Sequence, residues 1–130
     1  MALASLGGGQ QLGNGSSEPV LRFQGAPTAY TTTATITVAE LATGILSYTG
    51  SGHTLTLPTA TLWDAAVPNA KVDSSFDFAV IATTGTATLA VGTGWTLVGG
   101  GDGDTAATQA TLWRARKTGV AAWTVYRIAG

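Results

Sequence analysis

A single histidine, His53, is the residue type in this sequence best suited to proton transfer at neutral pH. A serine–histidine–acid triad would need it as the base. It follows Gly50-Ser51-Gly52 and opens the run His53-Thr54-Leu55-Thr56-Leu57, with no nucleophile motif beside it. That position reads as the start of a strand, and triad chemistry is not expected. There is no cysteine, which excludes thiolate catalysis, thiolate metal sites and disulfides. A metal would have to be held by carboxylates. Asp102-Gly103-Asp104 offers two of them in a glycine-rich run. Neither the EF-hand pattern nor the GGxGxD calcium repeat fits there, so the run reads as a solvated turn in which Gly and Asp supply positive φ and local hydrogen bonds. No metal and no cofactor is expected.

The other acids, Glu18, Glu40, Asp64, Asp73 and Asp77, are scattered along the chain. Two of them would have to meet in space for glycoside cleavage, which makes a small hydrolase of cell-wall sugar the weakest of three functional readings. No Gly-Lys-Ser/Thr follows a glycine run, so there is no phosphate loop. Lys117-Thr118-Gly119 matches one β-lactamase motif, but its partner Ser-x-x-Lys is missing. Arg114, Arg116 and Lys117 form the one basic cluster. Three cations are a poor footprint for nucleic acid, whose affinity rests on neutralising many phosphates; the cluster reads as a solvated hairpin end. Trp63, Trp95, Trp113 and Trp123 could stack on sugars or bases if exposed. Trp95 and Trp123 fall in strand patterns and are expected to anchor the core.

The elements that must position these residues follow from period-two alternation. Thr35-Ile36-Thr37-Val38, the run from His53 to Leu57, and Ser75-Phe76-Asp77-Phe78-Ala79-Val80 each place apolar side chains on one face. Ala87, Leu89 and Val91 do the same, then Trp95 and Leu97. Two last strands, about 107–116 and 121–128, are expected to join as a hairpin around Lys117-Thr118-Gly119. Gly50-Ser51-Gly52, Thr84-Gly85, Gly92-Thr93-Gly94 and the glycines from 99 to 103 punctuate them. Helical signals are short: Thr61 to Ala66 before Pro68, capped by Thr59 or Thr61, and Ala39 to Thr43. No internal repeat of solenoid period is evident. The expected fold is all-β, a small antiparallel β-sandwich or barrel over residues 26–130, preceded by an extended Gly-rich N-terminal arm over 1–25.

That arm carries Gly7-Gly8-Gly9, Gly13 and Gly15, with Leu3, Leu6, Leu12, Val20, Leu21 and Phe23 spaced along it. Wide spacing between glycines cannot build a core, but it suits a segment laid over a partner, with its backbone lying close and each apolar side chain in its own pocket. The six apolar residues are therefore the expected attachment points. Only 10% of the 130 residues are charged and the net charge is −1, against about 25% charged in typical soluble domains. Weak charge repulsion and an alanine-rich core favour a chain that works packed against others. No apolar run approaches the roughly 18 residues of a membrane helix, and Met1 to Gln10 has no basic residue ahead of its short apolar stretch, so no secretory leader is expected.

From residue 45 to the end, the chain resembles accessory virion proteins of tailed bacteriophages. The resemblance rests on Gly52-His53-Thr54-Leu55-Thr56-Leu57-Pro58, Gly92-Thr93-Gly94-Trp95-Thr96-Leu97-Val98-Gly99, the stretch from Thr111 to Gly119, and Trp123-Thr124-Val125-Tyr126-Arg127-Ile128. It is one of pattern, with no invariant motif. It implies an all-β, often trimeric domain on the outside of a DNA-filled shell, with no catalytic residues. The expected function is that of a capsid decoration (cement) protein, made in the host cytoplasm and placed on the virion exterior. Its partners would be the major capsid protein and two further copies of itself, with neither nucleic acid nor membrane. The alternative is a fibre or tail module whose end loops recognise a host glycan or surface protein. The chain's own Met1 and short arm count against it.

Overall fold

The computed structural model describes residues 21, 23–99 and 103–130. The chain enters β1 (Thr28–Tyr30) and crosses to β2 (Ala34–Thr35). It then returns through a one-turn helix, α1 (Val38–Ala42), into β3 (Ile45–Tyr48) and crosses again to β4 (His53–Thr56). A second helix, α2 (Ala60–Ala66), leads to β5 (Ser75–Ala82) and β6 (Ala87–Ala90). The remaining strands are β7 (Trp95–Val98), β8 (Asp104–Thr105), β9 (Gln109–Gly119) and β10 (Ala122–Ala129). They form a six-stranded sheet, β1-β3-β5-β9-β10-β7, and a four-stranded sheet, β2-β4-β6-β8.

The fold is therefore mixed α/β, with 11% helix and 47% strand among the described residues, and corrects the expectation of an all-β antiparallel sandwich or barrel. Both helices begin where the backbone N–H groups find a side-chain acceptor. Thr37 caps α1 in a capping box with Glu40, and Thr59 Oγ1 accepts from the N–H of Leu62 at the head of α2. The two helical signals were thus visible as single turns. They are the return legs of a winding chain, and a winding chain makes parallel sheets. β1, β3 and β5 are parallel, pairing Thr28 with Leu46 and Leu46 with Val80. β2, β4 and β6 are parallel as well, with Leu55 between Ala34 and Leu89.

The first six strands are thus three coils of a two-sheet solenoid. The coils differ in length, because the segment between α2 and β5 has no counterpart in the preceding coil. A fixed repeat is absent for that reason. The signal that survives is the corner: Tyr30-Thr31, Tyr48-Thr49 and Ala82-Thr83 stack on one another. The N–H of Thr49 donates to the carbonyl of Tyr30 (2.9 Å) and that of Thr83 to Tyr48 (2.8 Å). Thr84 Oγ1 both accepts from the N–H and donates to the carbonyl of Gly50 at the same corner.

The antiparallel pair β9–β10 closes the larger sheet. β9 pairs with β5 across its length, setting Phe78 opposite Trp113, and β10 pairs with β9. The reversal falls at Val120-Ala121, with Ala121 in the left-handed region, one step beyond the expected Lys117-Thr118-Gly119. One core joins both sheets and both helices, with Trp113, Tyr48, Phe78, Leu55 and Leu89 fully buried. All four tryptophans are buried, so large rings supply the volume that alanine cannot. Several buried polar atoms pair within the core: Trp113 Nε1 donates to Thr111 Oγ1 (2.7 Å), which is bonded to Thr105 Oγ1 (2.6 Å). Trp95 Nε1 donates to the carbonyl of Pro58 (2.7 Å).

Candidate functional site

His53 starts β4, where the corner at Gly52 brings it onto the ring of Tyr48. Its Nδ1 and the Tyr48 hydroxyl are hydrogen-bonded at 2.6 Å, and the same hydroxyl accepts from the N–H of Gly52 at 3.1 Å. A triad base needs a carboxylate on one ring nitrogen and a nucleophile on the other. Here a buried phenol occupies one of them, and the histidine pins a solenoid corner.

The basic cluster is spent in the same way. Register places Asp77 opposite Arg114 on β5 and β9, and a bidentate pair forms at 2.7 and 3.0 Å. Arg116 reaches Asp73 (2.7 Å) and the hydroxyl of Tyr126. Lys117 reaches Asp64 at 3.1 Å, and this pair is largely enclosed. Asp64 is the most heavily used carboxylate: its Oδ1 also accepts from Trp123 Nε1 and its Oδ2 from the N–H of Ala121, both at 2.7 Å. It ties α2 to the β9–β10 hairpin. Burial pushes its carboxyl up, but the bonds from Trp123, Ala121 and Lys117 outweigh this and hold it below the usual range. Asp77 is lowered mainly by its bond from Arg114, and Glu40 mainly by the N–H of Thr37. Glu40 also accepts from the Tyr30 hydroxyl (2.9 Å). Burial, then this bond, raises Tyr30 well above the ordinary phenol value.

Each of these acids has its own partner, and no three metal-ligating side chains converge among the described residues. Asp104 accepts from Thr88 Oγ1 at 2.5 Å across the β6–β8 pair; Asp102 and Glu18 lie outside the described residues. Sequence reasoning did not foresee the role of Asp64. The only hint was an acid five residues after the helix cap Thr59 and one after a tryptophan.

Of the expected attachment residues, Leu3, Leu6, Leu12 and Val20 lie outside the described residues. Leu21 and Phe23 are described, and they stand 84% and 96% exposed just ahead of β1. Among the described residues, two of the concavities on the body are apolar. A cavity of about 300 Å³ opens where β3, β5 and β10 begin, walled by Leu41, Trp63, Phe76 and Trp123. An apolar groove of about 590 Å³ runs between the heads of α1 and α2, past Ile36, Leu57 and Leu62. No helix among the described residues is long and apolar enough to cross a membrane. No protein-family model matches the chain, and no curated protein or solved structure is significantly similar to it.

Proposed function

We propose that this protein is a structural virion component, a capsid decoration protein that binds the outer surface of a phage head as a homotrimer and performs no catalysis. The observation that carries the reading is a contrast. The side chains able to do chemistry, His53, Asp64, Asp77, Arg114, Arg116 and Lys117, are engaged in holding strands and helices together. The large apolar side chains ahead of β1, Leu21 and Phe23, stand largely exposed to solvent. A body whose polar groups serve its own rigidity, led by an apolar segment, is suited to attachment. The pattern resemblance over residues 45–130 supplies the kind of surface.

In this role the protein adds contact area across joints of a shell under outward pressure. One contact of ordinary size buries about 1,200–2,000 Å² in total, and three linked copies add their contacts by avidity. Attachment runs through the segment before β1, and the solenoid stands outward. The glycan-binding alternative has less support, because all four tryptophans are buried and none stands on the end loops that would meet a sugar.

The test is binding to purified heads that lack the protein. Deletion of residues 1–17 is expected to leave the melting temperature and far-UV spectrum unchanged, since the core is drawn from residues between Tyr30 and Val125. The same deletion is expected to reduce head binding sharply. Because few charges lie on the segment, binding of the intact protein is expected to survive moderate salt. A truncated chain that binds heads at near-normal affinity would overturn attachment through this segment.

A further inference from the structure

We infer that Phe23 seats in the aromatic cavity of a second copy of this chain, and that this joint is what assembles the oligomer. The inference rests on the decoration reading and narrows it: Phe23 serves the contact between copies, and the segment ahead of it serves the shell.

The receiving site has suitable size and chemistry. A cavity on the order of 150 Å³ with apolar walls holds a benzene ring, and this one measures about 300 Å³. Its rings already form a cluster, with Trp63 and Phe76 at 4.7 Å and Phe76 and Trp123 at 5.9 Å between centroids. An added phenyl ring extends that edge-and-tilt packing. The Nε1 of Trp63 is buried and has no hydrogen-bond partner among the described residues. A buried N–H left unpaired is costly.

The donor is on the same molecule and is held away from its own site. The Gln24 side chain donates to the carbonyl of Thr43 at 2.6 Å. Thr43 lies between Ala42 and Gly44, both on the cavity rim. The chain is thus pinned at the rim one residue after Phe23, whose ring is 96% exposed. The anchor presents the ring outward, to a neighbour. β1, one of the two edge strands of its sheet, follows Phe23 in the chain and offers backbone groups to the same neighbour. With a net charge of −1, repulsion between copies is weak. Each copy gives one ring and receives one, so three such joints close a ring without leaving a free donor or cavity.

Two substitutions on opposite sides of the joint test this. Phe23→Ser removes the ring from a solvent-facing position and leaves the fold intact. Ala42→Trp fills the cavity mouth from an exposed position on α1; an unchanged far-UV spectrum verifies its fold. The intact protein is expected to self-associate in light scattering. Each variant is expected to weaken association roughly 10- to 100-fold per joint, the range for burying one large apolar side chain. Mixing the two variants restores a single joint and gives a heterodimer. Association is also expected to change the tryptophan emission, since Trp63 and Trp123 line the cavity. A wild-type chain that stays monomeric at every accessible concentration overturns the inference, as does an oligomer that survives either substitution. A monomer whose emission responds to Phe23→Ser shows docking within one chain and also overturns it. Deletion of 1–17 separates the two readings: it is expected to reduce head binding sharply while leaving self-association unchanged.

Discussion

Asp64 does at one position what several residues usually share. Three donors converge on it from Lys117, Trp123 and the backbone of Ala121, so its charge is offset by one cation and satisfied by two further bonds. Hydrogen bonds to a charged, enclosed group contribute about 1.5–3 kcal/mol each at most, and losing the carboxylate strands the lysine as well. Asp64→Asn keeps the shape and removes the charge. It is expected to lose about 1–3 kcal/mol of unfolding free energy in urea at neutral pH. The folded carboxyl is lowered relative to the unfolded chain. Its contribution is therefore whole above the ordinary carboxylate range and is lost as pH falls through that range toward the folded value. The gap between wild type and Asp64→Asn is expected to close over that window, and urea midpoints at a series of pH values measure it. A gap that stayed constant into acid would show that shape, and not charge, is what Asp64 supplies.

At the scale of the element, the two helices are too short to persist alone. They exist because their ends are capped and their inner residues, Leu41 on α1 and Ala60 and Trp63 on α2, are buried. The α1 cap has a second task, since Glu40 bonds back to the Thr37 N–H and also receives the Tyr30 hydroxyl from β1. Thr37→Ala removes one acceptor and leaves the Glu40–Tyr30 bond standing. It is expected to cost about 1 kcal/mol, read as a lower urea midpoint with an unchanged slope. A change in slope would mean that α1 melts on its own and that the first coil is not part of the cooperative unit. The strands are set by similar local rules. β5 and β9 alternate buried and exposed residues, and the exposed face carries the Asp77–Arg114 pair.

The whole molecule is a winding chain closed by a hairpin. Its stacked strands pair residues far apart in sequence, as with Leu46 and Val80, and Leu55 and Leu89. Each such pairing closes a long loop before any contact rewards it. Refolding from urea is therefore expected on the millisecond-to-second scale, followed by tryptophan fluorescence in a stopped-flow instrument. Microsecond refolding would show that the local hairpin β9–β10, and not the solenoid, limits the rate. The same architecture leaves an open end at β1 and β2, one edge strand of each sheet. Open edges invite another chain, and the exposed Phe23 lies at that end.

The amino-acid sequence by itself determined what depends on a residue and its near neighbours. Alternation marked the stretches that became β4, β5, β6, β9 and β10, and Gly-rich dipeptides marked the corners between them. Thr59 or Thr61 marked the start of α2, and Thr59 is its cap. The absence of cysteine and the isolation of His53 set bounds on the chemistry. Only the tertiary structure decided which strands are neighbours. A period of two says which face a side chain takes and nothing of the strand beside it, so parallel coils and an antiparallel sandwich read alike. The coils are unequal in length, so no period betrayed them, and the Tyr-Thr corners at 30 and 48 were too short to stand out. Charge pairing was hidden for the same reason. Asp64 and Lys117 are 53 positions apart, and their contact exists only once α2 lies against the hairpin.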